Sequence, residues 1–125
     1  MGAPRPLVLD AGALIAFERG DRRLRALLAE ARRIVIPAGA LGQAWRDGRR
    51  QVPLRALCDS TKAEVVPLDR LRAEAAGVLC ARSGTSDVID ASVVLTARQQ
   101  KDALVVTSDP DDLRRLDPSL RLESV

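Results

Sequence analysis

The sequence predicts a single α/β domain built on a parallel sheet of four to five strands. Short apolar segments that fit buried strands alternate with segments of helical character, an order that produces a parallel sheet covered by helices on both faces. The 125 residues match the size of one domain, and 46% of them are hydrophobic, which is enough for one core. No linker, repeat or low-complexity tract interrupts residues 1–125, so we expect one domain.

The first half of the chain contains three predicted strands and four predicted helices. The strands are the apolar segments 6–9, 33–36 and 64–66. The helices cover 11–17, 22–32, 37 to about 47, and 52–58. In the second of them, Leu24, Leu27 and Leu28 share one face, which is typical of an amphipathic helix. Pro37 suits the first position of the third helix, and Gly48 lies just past its end.

The second half continues the alternation. Asp69 is placed to cap a helix that runs through Ala81. Thr85 or Ser86 is placed to cap the next helix, which is predicted from Asp87 to about residue 100. A strand over 103–106, a helix over 110–116 and a fifth strand over 120–125 complete the chain.

Composition excludes several classes of function. The sequence contains no histidine, which removes catalysis by Ser-His and Cys-His pairs and every zinc site that needs imidazole. Aromatic residues make up only 2%, too few for a sheet that stacks RNA bases on exposed rings. Cys58 and Cys80 form no CxxC motif, and we expect both to be reduced core residues of a cytoplasmic protein. No stretch of 18 apolar residues exists, so no membrane span is expected.

Charge is distributed unevenly along the chain. Between Arg19 and Arg55, ten arginines stand against three acidic residues, a local balance of +7. Between Asp87 and Asp117, seven aspartates stand against four basic residues, a local balance of −3. The arginine guanidinium is a planar fork that suits phosphate, so the first segment fits a nucleic-acid surface. An arginine-rich surface without any ligand explains the same segment equally well.

The aspartates fall where a parallel sheet gathers its functional groups. Asp10 directly follows the first strand, and Asp109 follows the fourth. Asp87 and Asp90 lie three residues apart in the first turn of the helix that leads into the fourth strand, so they share a helix face. Each of them, taken alone, fits a helix cap or a favourable contact with a helix dipole. Together they converge on the carboxyl edge of the sheet, the edge at which ligands bind in this architecture.

Clustered carboxylates favour one kind of chemistry. Four like charges within several ångströms repel each other unless a cation lies among them. Oxygen ligands without histidine or cysteine suit Mg²⁺ or Mn²⁺. Such an ion generates a nucleophilic water and stabilises charge on a phosphoryl group. The sequence therefore predicts metal-dependent hydrolysis of phosphodiester bonds.

Three motifs resemble one known family. LVLDAGALIAF, TSDVIDASVV and VVTSDPDDL resemble the first-strand, acidic-helix and fourth-strand motifs of PIN domains, and their order and spacing resemble VapC-type toxins of bacterial toxin–antitoxin modules. The resemblance covers essentially the whole chain. It implies a three-layer α/β/α fold, Mg²⁺- or Mn²⁺-dependent ribonuclease activity and a cognate antitoxin whose peptide occludes the site. It also implies a homodimer or a toxin–antitoxin hetero-oligomer.

The resemblance assigns roles by position. Asp10, Asp90 and Asp109 match acidic positions of the family, and Asp87 is an additional acid one turn before Asp90. Together these four are the expected catalytic and metal-binding residues. Thr107 and Asp112, from the fourth-strand motif, and Gln43 are expected to support them.

One position departs from the family pattern, and it leaves two hypotheses open. Gln43 stands in IPAGALGQAWRDG where a Glu is usual, and an amide is a poorer metal ligand. Either Asp87 supplies the missing charge, or the chain is a weak or inactive PIN-like module that binds RNA or an antitoxin. Phosphatase or response-regulator chemistry is disfavoured, because both lysines lie away from the acidic edge. RNA contacts are expected from Arg46, Arg49 and Arg50.

Overall fold

The computed structural model describes residues 5–125, which form five strands and seven helices. The strands are β1 (Leu7–Leu9), β2 (Ile34–Pro37), β3 (Ala63–Val66), β4 (Leu104–Thr107) and β5 (Arg121–Ser124). The helices are α1 (Ala11–Glu18), α2 (Arg22–Glu30), α3 (Ala38–Ala44), α4 (Val52–Asp59), α5 (Arg70–Ser83), α6 (Val88–Arg98) and α7 (Pro110–Leu116). The predicted alternation of strands and helices is confirmed. Residues 1–4, which the sequence analysis included in the domain, lie outside the described residues.

All five strands form one parallel sheet in the order β3-β2-β1-β4-β5. The order reverses between β1 and β4, where Leu9 pairs with Val106. Right-handed crossovers then place the connecting helices on opposite faces of the sheet, which gives the expected three layers. In open parallel sheets the crevice at such a reversal is where ligands bind. The fold thus marks the carboxyl ends of β1 and β4 as the place to examine.

The core is made of aliphatic side chains, as the low aromatic content requires. Strands β1, β2 and β4 are almost entirely buried. Helices cover them with leucine, valine and alanine, among them the fully buried Leu14, Leu24 and Val93. Burying each leucine or valine is worth about 1.5–3 kcal/mol, so this packing fixes the strand ends against each other.

Two predicted boundaries are wrong. Pro37 was expected to open a helix that reaches about residue 47. Instead Pro37 is the last residue of β2, pairs with Val66, and has the extended ψ of 130°. The helix then ends at Ala44, because Trp45 also adopts an extended backbone. Parallel pairing with β3 outweighed the preference of proline for the first helical position.

The second correction concerns the start of α6. Thr85 or Ser86 was expected to cap a helix beginning at Asp87. Asp87 is itself the cap, and its Oδ1 accepts a hydrogen bond of 2.9 Å from the backbone N–H of Asp90. The preceding helix α5 runs to Ser83 and ends at Gly84, whose φ of +70° suits glycine.

The two cysteines differ in burial. Cys80 is buried, Cys58 is half-buried, and both are free thiols. Among residues 5–125 no helix has the length and apolar character needed to cross a membrane.

Candidate active site

Asp10 stands at the end of β1 and is held by two neighbours. Its Oδ1 accepts a hydrogen bond of 2.8 Å from the backbone N–H of Ala13, so it caps α1. Its Oδ2 accepts a hydrogen bond from the hydroxyl of Thr107. The residue is only 6% exposed. Burial raises the pKa of Asp10, and the charge of Asp109 adds to this, while the bonds from Thr107 and Ala13 oppose it.

Thr107 joins this carboxylate to the loop that follows β4. The residue is fully buried as the last residue of β4. Its hydroxyl donates to Asp10 and accepts a hydrogen bond of 2.9 Å from the backbone N–H of Asp109. The side chain of Asp109 is exposed and caps no N–H group of α7.

Asp87 and Asp90 bring a second pair of carboxylates to the site. Asp87 is exposed and Asp90 is half-buried. Burial raises the pKa of Asp90 to about 7, assisted by the charges of Asp87, Asp10 and Asp112. A negative charge raises the pKa of a carboxyl group in this way only at short range. The carboxylates at the end of β1, at the start of α6 and in the first turn of α7 therefore lie in one region.

Asp112 couples the same region to α7. Sharing a proton with Asp109 raises the pKa of Asp112, and the negative charge of Asp109 acts in the same direction. The residue is exposed, so it faces the solvent side of the cluster. Its place beside Asp109 agrees with the supporting role that the resemblance implies.

A close backbone approach lets the two loops of the site meet. A Cβ on Gly12 would lie 1.7 Å from Oγ and 2.7 Å from Cβ of Ser108. Gly12 is in the first turn of α1, two residues after Asp10. Ser108 directly precedes Asp109. Any side chain at Gly12 would therefore push the β4–α7 loop away from the end of β1. The sequence analysis missed this contact, although a glycine two residues after the first aspartate is a signal that could have suggested it.

The donor atoms fit a hard divalent cation. The cluster offers carboxylate and hydroxyl oxygens, the ligands that Mg²⁺ and Mn²⁺ prefer. Within residues 5–125 no three acidic or thiol side chains lie close enough to enclose an ion on their own. Mg²⁺ is commonly held by one or two carboxylates, with waters and substrate phosphates completing its shell. The carboxylates that raise the pKa of Asp90 fit such an open site, because a cation would relieve their repulsion.

Gln43 makes no hydrogen bond to these carboxylates. It is exposed near the end of α3, and its side chain makes no hydrogen bond to any other part of the described chain. The interactions described above connect the aspartates with Thr107 and Asp112, and Gln43 takes part in none of their hydrogen bonds.

The predicted arginines occupy the loop between α3 and α4. Arg46, Arg49 and Arg50 are all exposed. Gln51 organises this loop: its Oε1 accepts from the backbone N–H groups of Arg46 and Asp47 at 2.7 and 2.9 Å, and its Nε2 donates to the Ala44 carbonyl at 2.8 Å. The sequence analysis did not single out Gln51.

The basic loop lies next to the end of α1. The Glu18 carboxylate accepts a hydrogen bond of 2.8 Å from the backbone N–H of Leu54, in the first turn of α4. This bond ties the helix that starts at Asp10 to the helix that follows the arginines. Glu18 was another residue that sequence reasoning missed.

Comparison with known families and structures gives concordant matches. The sequence model of the PIN domain family matches residues 7–118. No curated protein sequence matches the chain at a significant level.

Solved structures share the fold across almost the whole chain. VapBC2 from Rickettsia felis, solved with a DNA fragment from its promoter, superposes with a TM-score of 0.64 at 16% identity, covering 96% of this chain and 98% of that one. VapC20 from Mycobacterium tuberculosis, described as a toxin that cleaves the sarcin–ricin loop, gives 0.63 at 21% identity, covering 79% and 86%. FitAcB from Neisseria gonorrhoeae gives 0.60 at 15% identity, covering 93% and 95%.

Proposed function

The chain belongs to the PIN domain family, and from that premise we propose that it is a metal-dependent endoribonuclease that acts as the toxin of a toxin–antitoxin module. The observation that carries this proposal is the convergence of Asp10, Asp87, Asp90 and Asp109 at the reversal of strand order. With no histidine in the chain, these carboxylates are the groups best suited to catalysis at that edge.

The four aspartates are the proposed metal ligands. Asp10, Asp87, Asp90 and Asp109 would hold Mg²⁺ or Mn²⁺. When bound, such an ion activates water and neutralises charge on a phosphoryl group. Thr107 keeps Asp10 and the Asp109 backbone in fixed relation through its two hydrogen bonds. Burial and the neighbouring charges raise the pKa of Asp90 to about 7, so a bound cation would favour its ionised form.

The RNA backbone would be held by basic side chains near the acidic edge. Arg46, Arg49 and Arg50 are exposed in the loop that leads into α4. Arg49 is the least committed of them, because Arg50 lies 3.8 Å from Asp47 and Arg46 donates to the Trp45 carbonyl at 2.8 Å. Each arginine placed on a phosphate would release counterions and make binding depend on salt.

The proposal includes a protein partner in the cytoplasm. The resemblance to VapC-type toxins implies a cognate antitoxin whose peptide covers the acidic site, and a homodimer or hetero-oligomer. An exposed cluster of carboxylates suits a basic peptide, which would compete with both the cation and the RNA.

A second candidate rests on Gln43. This exposed amide stands where the family usually has a Glu, and it makes no hydrogen bond to the carboxylates. A PIN-like module with weak or no catalysis, which binds RNA or an antitoxin, would fit this departure.

A cleavage assay separates the two candidates. Purified protein is incubated with an end-labelled, randomised single-stranded RNA pool in Mn²⁺, in Mg²⁺ and in EDTA. We expect cleavage only with a divalent ion. Asp10→Asn and Asp90→Asn should each reduce the rate at least about 100-fold, because each removes a charge worth several kcal/mol to a bound cation.

The matched control is Asp111→Asn. Asp111 is exposed on α7 and lies 3.6 Å from Arg114, so its loss should leave cleavage within about twofold. Wild-type rates in both Asp10→Asn and Asp90→Asn would show that the assigned site is wrong. RNA binding without cleavage by the wild-type protein would favour the inactive module.

A further inference from the structure

A cleft lies along one face of α1. It has a volume of about 550 Å³, within the range of small-ligand sites. Gly12, Ile15, Ala16 and Arg19 line it from α1, and Ser108 and Val125 also line it. The α1 residues follow the i, i+3, i+4, i+7 spacing of one helix face. The cleft therefore extends from Gly12 and Ser108, the sequence neighbours of Asp10 and Asp109, to an arginine.

The chemical character of the cleft changes along its length. Gly12 and Ser108, which stand next to the acidic residues in the sequence, line one end; Ile15 and Ala16 line the middle, and the exposed Arg19 lines the far end. With a rise of 1.5 Å per residue, Arg19 lies about 10 Å along the helix from Gly12. That distance places the guanidinium beyond a phosphate held at the acidic cluster but within reach of a neighbouring one.

Arg19 is uncommitted, unlike Arg23 and Arg25, which follow it on α2. Arg23 pairs with Glu123, and Arg25 lies 5.2 Å over the ring of Phe17 and donates to the Phe17 carbonyl. Arg19 makes no ion pair and no side-chain hydrogen bond with residues 5–125. Asp21 also lines the cleft, but one of its oxygens is engaged by the backbone N–H of Leu24 at 2.8 Å.

We propose that this cleft binds the nucleotide next to the scissile phosphate, with its base or sugar against Ile15 and Ala16 and its phosphate on Arg19. The inference rests on the proposed ribonuclease function and adds a substrate subsite to it. A single-stranded RNA fits the cleft because it combines an apolar face with a regularly spaced negative charge. A free peptide chain has no such regular charge.

The experiment measures binding and turnover separately. A fluorescein-labelled, randomised 12-nucleotide single-stranded RNA is titrated with protein in EDTA at several salt concentrations. Cleavage of the same RNA is followed in Mn²⁺. Arg19→Gln should weaken binding about 3–10-fold, lower the slope of log affinity against log salt by about 0.7, and raise KM with kcat within about twofold. Arg19→Lys keeps the charge and should keep the wild-type slope.

The matched control is Lys101→Gln. Lys101 is an exposed cation just before β4, at the opposite edge of the sheet, so this variant removes the same charge away from the cleft. Its binding and salt slope should equal those of the wild type.

Two results would overturn the subsite. One is an Arg19→Gln variant that binds and cleaves RNA as the wild type does. The other is an Arg19→Gln variant that loses only an antitoxin peptide, which would make the cleft a peptide site. A wild-type protein that cleaves no RNA in either metal would instead refute the proposed function, and the two failures are thereby distinguished.

Discussion

The hydroxyl of Thr107 links the carboxyl ends of β1 and β4 by hydrogen bonds. It donates to the carboxylate of Asp10, whose pKa is raised by burial, and it accepts from the backbone N–H of Asp109. A valine would fill the same space but leave Asp10 without this donor and the Asp109 N–H without its acceptor. Single buried hydroxyls of this kind are worth about 1–3 kcal/mol when removed, because the partner groups lose their bonds.

Gln43 replaces a Glu that is usual in the family, and variants of Asp87 and Gln43 test whether Asp87 supplies the missing negative charge. If Asp87 replaces the Glu that the family usually has, Asp87→Asn should lower cleavage nearly as much as Asp90→Asn, and Gln43→Glu should change metal affinity only modestly. We expect this outcome because the charge of Asp87 raises the pKa of Asp90, whereas Gln43 makes no hydrogen bond to the carboxylates. Isothermal titration calorimetry with Mn²⁺ measures the affinity of each variant.

The opposite result has an equally definite form. Asp87 also caps α6, and as a cap alone it would contribute only about 1 kcal/mol of stability. Asp87→Asn would then leave cleavage intact, since asparagine is a good cap, and Gln43→Glu would raise activity. That pair of results would contradict compensation by Asp87.

At the scale of elements, the contact between α1 and the β4–α7 loop is the narrowest in the site. Gly12→Ala would normally gain about 0.5–1 kcal/mol in a helix. Here the new Cβ would lie 2.7 Å from the Cβ of Ser108, which cannot rotate away, so we expect a net loss of about 1–3 kcal/mol and a large loss of cleavage. Thermal unfolding and the RNA assay measure both effects.

Two further variants test the cause of that loss. Ser108→Gly removes both atoms that the new methyl would meet, so Gly12→Ala with Ser108→Gly should recover much of the stability. Gly42→Ala on α3 meets no atom within 4 Å and should be neutral or stabilising. An equal loss in the single and double variants would show that the close approach is not responsible.

An ion pair between the exposed Arg98 and the buried Asp117 joins the end of α6 to the end of α7. Asp117 is 7% exposed, and its Oδ2 accepts from Arg98 Nε at 2.8 Å while Oδ1 accepts from the Ser119 N–H and hydroxyl. Burial raises the pKa of Asp117, but the bonds from Ser119 and Arg98 outweigh it and leave the pKa below its ordinary value of 3.8.

The pH dependence of stability follows from that direction. A carboxyl group whose pKa is lowered by folding stabilises the protein above its ordinary pKa, and this contribution is lost as the pH falls through the folded value. Asp117→Asn should therefore cost about 1–3 kcal/mol near pH 6 and progressively less below pH about 3.8. Urea unfolding across pH measures it, with Asp111→Asn as the surface control. A cost that does not change with pH would contradict the role of the charge.

Element order and the acidic edge were predictable from the sequence because both depend on local patterns. Apolar runs marked the strands, and an aspartate directly after a strand must lie at the carboxyl edge. The position of Pro37 was not predictable, because it depends on pairing with Val66, which is 29 residues away in the sequence. The contact of Gly12 with Ser108 and the bond from Leu54 to Glu18 likewise depend on how distant segments pack.

For the whole molecule, the reversal of strand order concentrates negative charge in a protein whose net charge is +3. The acidic segment closes around the ends of β1 and β4, while the arginines lie in the loops and helices that follow β1 and β2. A polyanion is thus attracted to the surface as a whole and repelled at one place, unless a cation is bound there.

We therefore expect Mn²⁺ to stabilise the folded protein. A ligand that binds only the folded state at about a hundred times its Kd adds about 2.7 kcal/mol, which raises Tm by several degrees. In EDTA, Asp90→Asn should melt above the wild type, because it removes a half-buried carboxyl group that burial and the charges of Asp87, Asp10 and Asp112 disfavour as an anion. Added Mn²⁺ should then raise its Tm far less than that of the wild type, while Asp111→Asn should respond as the wild type does. Differential scanning calorimetry with and without Mn²⁺ measures these shifts. If Mn²⁺ does not change the Tm of the wild type, the carboxylates are held in place by hydrogen bonds and helix capping alone.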